Sequence, residues 1–88
     1  MTQKFNPGDF VKISKTLPKN MSHFESGCVA CIEGSYADLY GGERKSPQDY
    51  ALIIFRNRKP TGSSAWYPEK VLEKFDSYNL MNYFKGKD

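Results

Sequence analysis

Ser64-Ala65-Trp66-Tyr67-Pro68-Glu69 pairs a short aromatic strand with a proline that cannot continue it. Proline lacks the amide a ladder needs, so the strand ends at Tyr67 and Pro68-Glu69-Lys70 forms a turn or a single helical turn. Val71-Leu72-Glu73-Lys74-Phe75 then reads as a fifth strand. Upstream, Asp49-Tyr50-Ala51-Leu52-Ile53-Ile54-Phe55-Arg56 is the most apolar run, expected at the centre of the sheet and covered on both faces over part of its length. Lys59-Pro60-Thr61-Gly62 supplies the turn between these two strands.

Nearer the N-terminus, Asn6-Pro7-Gly8-Asp9 has tight-turn chemistry, and Phe10-Val11-Lys12-Ile13-Ser14 alternates apolar and polar side chains as a half-buried strand does. Lys15 to Gly27 is polar with scattered Leu17, Met21 and Phe24, which predicts a long excursion loop. A second strand spans Gly27 to Gly34, with Cys28, Ala30 and Ile32 on one face. Ser35 to Gly42 is aromatic, acidic and glycine-ended, and reads as a second functional loop running into the polar stretch Glu43 to Gln48. In the tail, Ser77, Leu80, Met81 and Phe84 fall at helical spacing behind Asp76 or Ser77 as a cap, and Gly86-Lys87-Asp88 is expected to fray.

Five short strands joined by tight turns suggest a barrel or sandwich in a mainly β chain. The division expected is a barrel over residues 1–75 and a helical tail over 76–88, packed on the barrel or frayed. At 88 residues there is room for one core, and the aromatic fraction of 15% makes a disordered chain a poor reading. No apolar run reaches the roughly 20 residues that span a bilayer, and the N-terminus lacks a signal-peptide core, so a cytoplasmic location without membrane partners is expected. The net charge of +3 permits an anionic partner without demanding one.

The order of elements resembles that of SH3-like small β-barrels, including KOW-type and related bacterial and phage-encoded barrels. The resemblance is carried by Phe5 to Ile13, by Gly27 to Ile32, and by Trp66-Tyr67-Pro68-Glu69-Lys70-Val71-Leu72. It covers the chain to about Phe75 and implies a five-stranded SH3-like barrel there, to which the spacing of the tail adds a short C-terminal helix. A proline-rich ligand is not implied, because the chain has no second tryptophan and no acidic cluster in its first loop.

Cys28-Val29-Ala30-Cys31 has C-x-x-C spacing, but residues three apart on a strand face opposite ways, so the thiols diverge. Core cysteines are the main reading and a metal or redox pair the minor one. His23, the chain's single histidine, reads as a loop residue rather than a general base. With no phosphate loop, nucleophile elbow or paired carboxylates in view, the chain is expected to be no enzyme and to need neither cofactor nor small-molecule substrate.

Two binding surfaces remain. Tyr36, Asp38 and Tyr40 on one side of an extended loop, with Trp66 and Tyr67, of which face alternation leaves one exposed, suit a protein partner in a regulatory or accessory role. Alternatively, Arg56, Arg58 and Lys59, with no acid nearby in sequence, suit an RNA or DNA backbone whose bases stack on adjacent aromatics.

Overall fold

A computed structural model describes residues 2–21 and 25–85. The expected roles of His23, Phe24 and the terminal Gly86-Lys87-Asp88 therefore lie outside the described residues. The chain is mainly β: strands β1 (Phe10–Ile13), β2 (Val29–Ser35), β3 (Asp49–Arg56), β4 (Lys59–Pro68) and β5 (Leu72–Lys74) form one antiparallel sheet in the order β4-β3-β2-β1-β5. A short helix α1 (Tyr36–Tyr40) follows β2 directly, and α2 (Ser77–Phe84) ends the chain. A 3-10 turn at Glu69–Val71 joins β4 to β5. Thr2 also forms an isolated bridge with Lys45.

The ladder is open rather than a closed barrel, because β4 and β5 are its two edges. Pro68 ends the β4 ladder, the chain winds through the 3-10 turn, and the three residues of β5 are committed to β1, with Ile13 opposite Leu72. The β1–β2 loop folds toward the core: Leu17 is buried and Met21 packs on the core cluster. The expected excursion loop thus contributes to the interior.

Inner faces follow the period of two. Val11 and Ile13, Ala30 and Ile32, and Tyr50, Leu52 and Ile54 are buried, and Tyr67 joins them because it pairs directly with Tyr50. Phe5 fills one end of this core, its ring edge-on to Tyr50 with centroids 5.4 Å apart. Such a pair contributes about 0.5–1.5 kcal/mol beyond its buried area.

β1 and β5 stop a residue short of the expected ends, and three differences from the sequence expectation are larger. The strand expected from Gly27 starts at Val29, with Cys28 packed on the core just before it. The hairpin turn sits at Asn57 and Arg58, both with positive φ (51° and 64°), so β4 starts at Lys59 and absorbs the stretch expected to turn. Two left-handed residues match the strand twist in a tight hairpin, and asparagine tolerates that region better than most. The segment expected to be a loop from Ser35 contains α1, started by a Ser35/Asp38 capping box.

Among the described residues, no helix is long and apolar enough to cross a membrane. The tail helix forms where expected, capped by the Asp76 carboxylate accepting from the Asn79 amide. Leu80, Asn82 and Tyr83 are its half-buried positions. Phe84 meets Phe10 and Phe55 at 5.7 and 6.0 Å, so α2 lies against the sheet face that points away from the core.

Candidate functional site

Ser35-Tyr36-Ala37-Asp38 explains why a helix forms where a loop was expected. The Asp38 amide donates to the Ser35 hydroxyl (3.1 Å), and the Ser35 amide donates to the Asp38 carboxylate (3.0 Å). This reciprocal capping box satisfies two amides that a helix start leaves without partners. The Asp38 carboxylate also accepts from Gln3 Nε2 at 2.9 Å and pairs with Arg44 at 2.8 Å.

Asp38 is therefore not a surface contact residue. Its side chain is only 13% exposed and turns toward the N-terminal segment. Burial alone would raise its pKa, but the hydrogen bonds from Ser35 and Gln3 and the Arg44 charge outweigh that and hold it below the ordinary aspartate value.

A polar network fixes α1 from beneath. Gln48 Nε2 and the buried Ser35 hydroxyl both donate to Gln3 Oε1, and the Ala37 amide donates to Gln48 Oε1. Beside it, Glu69 accepts from the Tyr50 hydroxyl at 2.6 Å, from the Ser46 hydroxyl and from the Lys4 amide. Burial would raise Glu69, yet these donors hold it low, while burial and the Glu69 contact push Tyr50 up to about 12. Among the described residues, no buried side-chain polar atom lacks a hydrogen-bond partner.

On this base stands an exposed aromatic cluster. Tyr36 and Tyr40, one helical turn apart, place their rings 4.8 Å apart, and both reach Trp66 of β4 at 6.1 Å, with Tyr40 stacked on the indole. The three are 59%, 68% and 43% exposed. Trp66 is thus the outward member of its pair. Tyr67 is 3% exposed and leaves the candidate surface: its hydroxyl donates to Glu25, and burial, followed by the Glu25 charge, pushes its pKa up to about 12.

The basic turn lies at the other end of the β3–β4 ribbon. Ala51, which pairs with Trp66, and Asn57 are six positions apart along the chain, a distance of about 20 Å at strand rise. Arg58 is engaged with α2: its amide donates to the Tyr83 hydroxyl at 3.2 Å and its Nε to the Tyr83 carbonyl at 3.0 Å. Arg56 has Glu25 at 3.8 Å, so an acid absent from the neighbouring sequence is supplied by the β1–β2 loop. Lys59 is exposed. The aromatics near this turn belong to a shallow groove of about 510 Å³ lined by Lys12, Arg56, Phe55, Phe75 and Tyr83.

No protein-family model matches the chain, and no curated protein or solved structure matches it either.

The two thiols diverge as the strand period requires. Cys28 packs on the core, while Cys31 pairs with Phe10 and Ile53 on the opposite face. Burial first, then Asp9 and Glu33, raises the Cys31 pKa, which favours the inert thiol over a thiolate. Among the described residues, no three of His, Cys, Asp and Glu gather as a metal would need.

The sequence reading missed the Gln3–Ser35–Gln48 network and the Ser35/Asp38 box. The box was visible as a Ser-x-x-Asp spacing ahead of an aromatic run. The glutamines carry no local signal, because their partners lie 32 and 45 residues away.

Proposed function

We propose that this chain is a non-catalytic protein-interaction domain, an open-sheet relative of the SH3-like small barrels, whose contact surface is the Tyr36, Tyr40 and Trp66 cluster. The observation that carries the reading is three large rings, from two different elements, in mutual contact and facing solvent on a fully hydrogen-bonded base. Exposed aromatics held rigid lose little entropy on binding, and tyrosine and tryptophan are the residues most often found at binding hot spots. The SH3-like reading is supported by a last strand that returns to pair with the first, by the long β1–β2 loop folded onto the core, and by the 3-10 turn before β5. A cytoplasmic accessory factor is the role this surface suits.

The nucleic-acid reading draws less support, because Arg58 is held by α2 and Arg56 faces Glu25. Titration with single-stranded and duplex oligonucleotides at two salt concentrations tests it. Binding that weakens steeply with salt and vanishes on changing Arg56, Arg58 and Lys59 to Ala would revive it.

The contact surface is tested by affinity capture on immobilised wild-type protein beside the Tyr36→Ala, Tyr40→Ala and Trp66→Ala variants. Loss of a captured partner in all three, with melting temperatures preserved, is the expected outcome. Retention of every partner would remove the cluster from the function.

A further inference from the structure

The edge of a sheet presents a row of backbone amides and carbonyls that can pair with another chain, and natural edges are kept short, charged or interrupted by proline. The two edges of this sheet differ. β5 is three residues long and exposes Glu73 and Lys74. β4 runs for ten residues and carries no charge over residues 60–68. Among the described residues, β4 pairs only with β3.

The ladder fixes which backbone groups of β4 look outward. Antiparallel pairs alternate between those that exchange hydrogen bonds and those that do not. The Glu69 amide donates to the Gln48 carbonyl at 3.0 Å, and two residues further along the same register Tyr67 lies opposite Tyr50. Tyr67 and Ala65 therefore bond to β3. Trp66, opposite Ala51, and Ser64, opposite Ile53, turn their amides and carbonyls away from the sheet. Both residues are exposed, and no backbone group among the described residues bonds to these outward ones. The register shifts between Pro60 and Ser64, and Pro68 has no amide, so the open stretch is confined to residues 64–67.

A groove runs beside this stretch. It has a volume of about 330 Å³ and is lined by Asn20, Met21 and Glu25 of the β1–β2 loop and by Ala65, Trp66 and Tyr67. On the other side of the strand, Trp66 stands against Tyr36 and Tyr40. We infer that an extended, uncharged segment of the partner protein adds a strand to this edge, a mode of binding that rests on the ring cluster being its contact surface.

Each backbone hydrogen bond contributes modestly, so the outward groups of Ser64 and Trp66 do not hold a partner by themselves. Side chains complete the site. A residue paired with Trp66 projects its side chain on the indole's own side, where Tyr40 stacks, and a large apolar or aromatic group suits that position. Its neighbours point the other way, toward Met21 and Asn20 in the groove. The segment is thus read at alternate positions, and proline is excluded opposite Trp66. A second copy of this chain fits less well, because pairing β4 with its counterpart would drive the β1–β2 loop of each copy, which walls the groove, against the strand of the other.

A phage-displayed library of short random peptides, selected on the immobilised protein, supplies the probe. A selected peptide should slow hydrogen exchange at the Ser64 and Trp66 amides. N-methylation of its backbone, residue by residue, should weaken binding about tenfold at alternate positions and little between them, since one backbone bond is lost at a time. Ser64→Pro removes an outward amide without touching the β3 ladder, and should weaken binding comparably with the melting temperature retained.

A library that yields no binder, or a bound peptide that leaves both amides exchanging as in the free domain, overturns strand addition. Binding that is lost in Tyr36→Ala and Tyr40→Ala but is indifferent to Ser64→Pro and to N-methylation overturns it too, and leaves the ring cluster standing. Binding that follows the N-methylation pattern and Ser64→Pro but survives all three ring variants upholds the added strand and removes the cluster from the function.

Discussion

At the scale of single residues, Asp38 shows how a side chain chosen as a contact becomes a support. It caps α1, accepts from Gln3 and pairs with Arg44, so Asp38→Ala removes several interactions at once. The expected loss is about 1–3 kcal/mol from the charged hydrogen bonds its carboxylate accepts, read by chemical denaturation, with the Tyr40–Trp66 stacking loosened as well. Asp38 and Glu69 both sit below their ordinary carboxylate pKa values. A depressed carboxylate contributes stability above its unfolded pKa and loses it as pH falls through the folded value. Stability should therefore decline in acid, below the ordinary values of 3.8 and 4.5, and Asp38→Asn or Glu69→Gln should flatten that decline in a melting series. Tyr50 and Tyr67 give the opposite sign. Pushed up to about 12, they favour the fold below pH 10 and lose that contribution as pH rises toward 12, with their phenolate absorbance appearing only there.

At the scale of elements, the hairpin and α1 make separate predictions. Asn57 holds φ of 51° in the β3–β4 turn, and a β-branched side chain is disfavoured there. Asn57→Val should cost about 1–2 kcal/mol and, because Arg58 next to it binds Tyr83, should speed amide exchange in α2 as well as in the hairpin. The strands were legible because their period and turn residues are local signals: β3 over Asp49–Arg56 stands as read. The tail helix was legible for the same reason. The start of β4 was not, since Lys59-Pro60-Thr61-Gly62 has turn composition while the turn itself falls on Asn57 and Arg58. The Trp66 and Tyr67 choice needed the pairing of Tyr67 with Tyr50, a fact of register that no single strand contains.

At the scale of the molecule, an apolar core on one side of the sheet is matched by a second, half-covered apolar layer on the other. Trp66 belongs to the exposed part of that layer, next to α1, and Phe84 to the part that α2 covers. Composition alone hinted at this through the 15% aromatic content, but only the ladder shows which rings share a side. Trp66 is the chain's one tryptophan, so 5-fluorotryptophan labelling gives a single fluorine resonance at the centre of the proposed surface. The decisive measurement is that resonance in the free domain and in a saturated complex with a captured protein partner. A contact surface at Tyr36, Tyr40 and Trp66 predicts a shifted resonance that has lost its sensitivity to exchange of H2O for D2O. A resonance unchanged in position and still solvent-sensitive in the saturated complex would contradict it.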